Sequence, residues 1–103
     1  MANSNPPKKN QAFACRIGLD DMAVAGSLKS NPTLASGDFK VDIDGGGFTN
    51  LGTTPTNSPS SSVAVLLSLS SSEMNGDVIT IAGVDQTSPK EWADFFMCIL
   101  TTA

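Results

Sequence analysis

Ser62-Val63-Ala64-Val65-Leu66-Leu67-Ser68-Leu69 is the stretch that decides the fold class. Val63, Val65, Leu67 and Leu69 fall on one side of an extended chain, and Ala64 and Leu66 on the other, with Ser62 and Ser68 at its ends. A period of two belongs to a strand, because successive side chains point to opposite faces of the pleat. Apolar residues on both sides predict a central strand, or one that docks a partner.

The same period recurs on either side. Upstream, Phe39, Val41 and Ile43 alternate with Lys40 and Asp42. Further back, Phe13, Cys15, Ile17 and Leu19 alternate with Ala12, Ala14, Arg16 and Gly18. Downstream, Val78–Ala82 is β-branched, with Ile79 and Ile81 on one side. The last apolar run, Trp92–Thr102, is long enough for a helix or a strand. We read it as a strand, since a series of short strands needs a partner for its last edge.

The connections carry turn chemistry. Asp44-Gly45-Gly46-Gly47 suits a tight reversal, because glycine accepts positive φ, and Phe48 and Leu51 resume a short strand after it. Ser30-Asn31-Pro32 is a turn, and Gly52–Ser62 is a loop with Pro55 and Pro59. Ser71–Gly76 reads as one capped helical turn closed by glycine. Met22-Ala-Val-Ala25 fits either a short strand or a helical turn. About five to seven strands result, which predicts an all-β fold: a small antiparallel, Ig-like β-sandwich or barrel. Residues 1–10 contain Pro6-Pro7, which lack the N–H a ladder needs. They are expected to form an extended arm, with residues 11–103 as a single β domain.

Composition narrows the function. Charged residues make up 16% of the 103, against roughly 25% in a typical soluble domain. A weakly charged surface pairs with a neighbour at low desolvation cost. The formal net charge is −4, and Lys8-Lys9 is the one basic pair, so direct nucleic-acid binding is not expected. No apolar run approaches the ~20 residues of a membrane span, and the start, MANSNPPKKN, has no apolar signal core. The expected compartment is therefore the reducing cytoplasm in which the chain is made. There, Cys15 and Cys98 are expected as buried free thiols acting as small hydrophobes. A disulfide between the first and last strands is the alternative.

The chain has no histidine and no tyrosine. This removes the commonest general base, the Ser-His and Cys-His pairs and the main metal ligand. No phosphate-binding glycine loop is present, so neither an enzyme nor a cofactor is expected. Asp42-Ile-Asp44-Gly45 begins like a calcium loop, but its twelfth position is Thr53, where a glutamate is needed. We read Asp42 as an outward strand residue and Asp44 as a turn residue. Asp94 is read as a solvent-facing acid, or as half-buried with a donor such as Arg16. Trp92 beside Pro89, Lys90 and Glu91 could anchor a partner, stack on a sugar, or fill the core. The candidate interface residues are Pro6, Pro7, Lys8 and Lys9 of the arm, Leu66, and Trp92.

Three segments carry a resemblance: Lys29–Leu51, with Asp38-Phe-Lys-Val-Asp-Ile-Asp-Gly-Gly46; Val65–Asp77, ending Leu69-Ser-Ser-Ser-Glu-Met-Asn-Gly-Asp77; and Glu91-Trp-Ala-Asp94. Together they resemble small β-sandwich structural proteins of tailed bacteriophage virions, over about residues 10–102. Ser70–Asp77 is the most specific part. The resemblance implies a capsid decoration (cement) protein, or a tail, neck or fibre-associated adaptor, and brings no catalytic motif. A carbohydrate-binding virion module and a hydrolase using Asp42 or Asp44 are the readings from other classes. A chain that stops just after its last strand suits decoration better than an adaptor leading into a shaft. The implied location is the virion. The implied partners are the major capsid protein, copies of this chain as a homo-oligomer, and tail proteins.

Overall fold

The computed structural model describes residues 6–103. The first half of the predicted arm, residues 1–5, lies outside them. The described chain is all-β: β1 (Phe13–Ile17), β2 (Phe39–Ile43), β3 (Thr49–Asn50), β4 (Thr56–Asn57), β5 (Val65–Leu69), β6 (Val78–Gly83) and β7 (Phe95–Leu100). They form two antiparallel sheets, ordered β1-β5-β4 and β3-β2-β6-β7, packed face to face as a sandwich. No helix among the described residues is long and apolar enough to cross a membrane.

The alternation seen in the sequence supplies the core. Val65, Leu67 and Leu69 of one sheet face Phe39, Val41, Ile79, Ile81 and Ile99 of the other, with Leu19, Leu51, Met74 and Trp92 filling the ends. β5 lies between β1 and β4, central as expected, with Cys15 opposite Leu67 and Arg16 opposite Leu66. β6 is the centre of the second sheet, paired to β2 through Val41–Ile81 and to β7 through Ile79–Ile99. Gly83 ends β6 where a Cβ would stand 2.6 Å from the ring of Phe39. Glycine lets the two strands close at that point.

Several local expectations change. Val63 does not join the inner row of β5: the strand begins at Val65, and Val63 is exposed. Phe48 is exposed too, and β3 is only Thr49–Asn50. The Gly52–Ser62 loop contributes the two residues of β4. Met22–Ala25 is neither strand nor helix but an exposed loop. Ser71–Gly76 makes a single helical turn that is not propagated. The Met74 N–H donates to Ser70 O, Ser70 N–H donates to Glu73, and Glu73 N–H donates to the Ser70 hydroxyl. This reciprocal capping box satisfies the turn's free donors.

Candidate interaction surface

The six candidate residues separate into three places. Trp92 is fully buried, so of its three readings the core one holds, and its place among the interface candidates and as a sugar platform is corrected. Its ring stacks on Phe39 with centroids 5.3 Å apart, and its indole N–H donates to Thr33 O at 3.2 Å. The neighbouring Glu91 accepts from the Thr33 N–H and hydroxyl, so the 31–34 loop closes over the indole.

Leu66 lies on the outer face of the three-stranded sheet, half-buried. Arg16, opposite it on β1, reaches across β5 to donate to Ser58 O and the Ser58 hydroxyl. The register of β1, β5 and β4 puts this strap over Leu66. The chain itself therefore covers Leu66 in part, and Arg16 is not the donor for Asp94. Asp94 is exposed and pairs with Lys90 at 2.9 Å.

Pro6–Lys9 come to the free edge of β7. Lys8 bridges Thr102 in parallel register, with Thr102 N–H donating to Pro7 O and Lys9 N–H donating to Thr102 O. Lys9 also pairs with Asp77 at 2.7 Å. Its hydrogen bond and ionic contact with Asp77 push the ammonium pKa up.

The largest exposed apolar side chains stand beside this segment, on residues the sequence reading did not single out. Phe96 is 68% exposed and Leu100 69% exposed. Phe95, Met97 and Ile99 point inward, so Phe96, Cys98 and Leu100 line the outer face. The Cys98 thiol is exposed rather than buried, and both cysteines are free. Cys15 is half-buried on the inner side of β1, and burial pushes its thiol pKa up. Opposite the β7 stripe on β6 stand Val78, Thr80 and Ala82. Beyond them on β2 are Asp42 and Lys40, so the face passes from charged at β2 to apolar at β7.

The backbone of β7 is open on the same side. The Thr101 N–H donates to Asp77 O. By the alternation of an antiparallel ladder, Ile99, Met97 and Phe95 bond toward β6, while Phe96, Cys98 and Leu100 turn their N–H and C=O groups outward. Thr102 does so as well, but the Pro7–Lys9 segment occupies it. Among the described residues nothing pairs with the outward groups of Phe96–Leu100. An apolar edge strand without charge or bulge is a template for another polypeptide.

The carboxylates serve the fold. Asp42 accepts from the N–H groups of Gly45 and Gly47, and Asp44 from those of Asp77 and Val78. Each fixes a turn, as the sequence reading preferred to a calcium loop. Two acids the sequence reading passed over are buried. Asp38 accepts from Ala35 and Gln86 N–H groups. Asp85 accepts from Thr87 and Glu91 N–H groups. Burial pushes Asp85 up, but hydrogen bonds from Thr87 and the Glu91 and Trp92 backbones outweigh it and hold the carboxyl below its ordinary value. The Asp85-x-Thr87 spacing of an Asx turn was the signal that could have found it.

Among the described residues no pocket opens, and no three His, Cys, Asp or Glu side chains are placed to hold a metal. What the described residues present instead is an apolar strand edge. Comparison with protein-family models, with curated proteins and with solved structures finds no match.

Proposed function

We propose that this protein is a structural component that works by docking, and that it is a decoration (cement) protein of a bacteriophage capsid. The observation that carries the docking reading is the β7 edge, unpaired among the described residues from Phe96 to Leu100, with Phe96 and Leu100 exposed on one face. Exposing two large apolar side chains on an unpaired edge invites aggregation unless a partner covers them. The absence of histidine and the assignment of Asp42, Asp44, Asp38 and Asp85 to turns and loops favour docking over catalysis. The resemblance of the Asp38–Gly46 and Leu69–Asp77 segments to phage virion proteins supplies the particular partner, the capsid lattice. Burial of Trp92 counts against a glycan platform.

The test is reconstitution on particles. Purified protein added to capsids that lack it should bind in a copy number comparable to the shell subunit and raise their resistance to heat. Binding in only a few copies would move the protein to the tail. No binding to any virion part would refute the reading.

A further inference from the structure

The docking reading does not say whether the β7 edge meets the capsid lattice itself or another copy of this chain. The inference here rests on that reading and names one occupant, a second copy of this chain. The open stretch has two defined ends. At its C-terminal end the Pro7–Lys9 segment sits on Thr102. At the other end the strand begins at Phe95, directly after Asp94. Between them the outward-facing residues are Phe96, Cys98 and Leu100, a set centred on Cys98. No residue of β7 is charged. Both ends carry charged groups: Lys8 and the Lys9–Asp77 pair at one, the Lys90–Asp94 pair at the other. Lys8 has no ion-pair partner among the described residues.

We propose that β7 pairs antiparallel with β7 of a second copy about a twofold axis at Cys98. Cys98 then faces Cys98 of the second copy, and Phe96 faces Leu100 on both sides of the axis. All three positions present their N–H and C=O groups to the partner, so about six backbone hydrogen bonds form across the seam. The two β3-β2-β6-β7 sheets become one continuous sheet. Each Phe96–Leu100 pair lies at the directly opposite spacing of about 5.5 Å between Cα atoms, close enough for aromatic–aliphatic packing. Val78 and Ala82, behind the seam on β6, extend the apolar strip in each copy.

Two features favour a second copy in this orientation. Open edges in proteins are commonly guarded by Lys, Pro or a bulge. Among the described residues, Pro6-Pro7-Lys8-Lys9 blocks only the Thr102 position and leaves the stretch symmetric about Cys98 unpaired. Antiparallel pairing also brings Lys8 of one copy to the Asp94 end of the other, where the exposed Asp94 carboxylate can take a second cation beside Lys90. A parallel arrangement would set the unpaired Lys8 of the two copies together. A twofold contact of this kind is self-complementary and closes, so it yields a dimer rather than a fibre.

The experiment is sedimentation of the full chain at micromolar concentration, together with thiol trapping by diamide. In trapping, two Cys98 thiols give two protons and two electrons to the diazene, which becomes the hydrazine, and one S–S bond forms. The wild type is expected to sediment as a dimer and to trap as a covalent dimer. Trapping should be lost in Cys98→Ser and kept in Cys15→Ser. Phe96→Lys and Leu100→Lys, each checked for an unchanged circular dichroism spectrum, should weaken dimerisation at least about tenfold. Phe48→Lys, at an exposed site on the far side of the same sheet, should not. A monomer at every concentration, a dimer untouched by both lysine variants, or failure to trap through Cys98 would overturn the pairing. If the chain is monomeric but Phe96→Lys abolishes particle binding, the pairing fails while the docking reading stands. If no form binds particles, the capsid assignment fails, whatever the outcome of sedimentation.

Discussion

Replacing Trp92 is the most direct test of how the sandwich is closed. The side chain is fully buried, stacked on Phe39 and bonded to Thr33 O. Truncation of such a residue to alanine costs about 3–5 kcal/mol, with the lost ring stack and the unpaired Thr33 carbonyl placing this site near the upper end. A domain of this size has only about 5–15 kcal/mol in total, so Trp92→Ala should lose a large fraction of its stability and unfold at a much lower urea concentration than wild type. Trp92→Phe is the more informative variant. It keeps a ring on Phe39 but removes the N–H donor and part of the volume, for an expected loss of about 2–3 kcal/mol. Urea unfolding followed by circular dichroism measures both variants, with an unchanged slope expected for Trp92→Phe. Trp92 is the only tryptophan, so wild-type emission should be resistant to quenching until the domain unfolds. A loss below about 1 kcal/mol in Trp92→Ala would show that the indole is not a core element.

Gly83→Ala should destabilise by about 1–3 kcal/mol, because its Cβ would meet the buried Phe39 ring at 2.6 Å; a melting temperature equal to wild type would contradict this. Asp85 gives a pH signature. Its folded-state carboxyl lies below the ordinary value, so its contribution is present above the unfolded-state pKa of about 3.9 and is lost as pH falls from there through the lower folded value. Asp85→Asn should be less stable at neutral pH and should lose less on acidification below about pH 4; parallel stability curves for the two proteins would count against it. Deleting residues 1–10 removes the strand-like contacts to Thr102 and the exposed Lys9–Asp77 pair. The domain should still melt cooperatively, at a somewhat lower temperature, and attach less well to particles; collapse of the β signal would show the segment to be integral.

The strands legible in the sequence were those with a clean period of two. Phe39–Ile43 and Val65–Leu69 each place three apolar side chains on one face, and burial of that face fixes both existence and orientation. β3 and β4 have two residues each, too few for any period. β7 is apolar at every position, so its pattern shows neither that it is extended nor which half faces in, and the strand reading rests on the need of a preceding edge for a partner. That choice falls to the register with β6, where Ile79 and Ile81 are already inward and direct Ile99 and Met97 with them. This is why Phe96 and Leu100 were passed over and the docking face was sought at Pro6–Lys9, Leu66 and Trp92. Trp92 itself is placed by contacts with Phe39 and Thr33, more than fifty positions away in the chain, which no local pattern encodes. The pinning of Pro7–Lys9 to Thr102 is likewise a pairing of distant segments.

That pairing has a practical consequence for handling the molecule. Because residues 7 and 102 are hydrogen-bonded neighbours, a short Gly/Ser linker can join the two ends of the domain. New termini could then be opened in an exposed loop such as Met22–Gly26, giving a circular permutant with an unaltered core. A dye or a displayed peptide attached beside either of these residues leaves the domain from the same corner, next to β7. Cargo intended not to obstruct that edge belongs instead on the 22–26 loop.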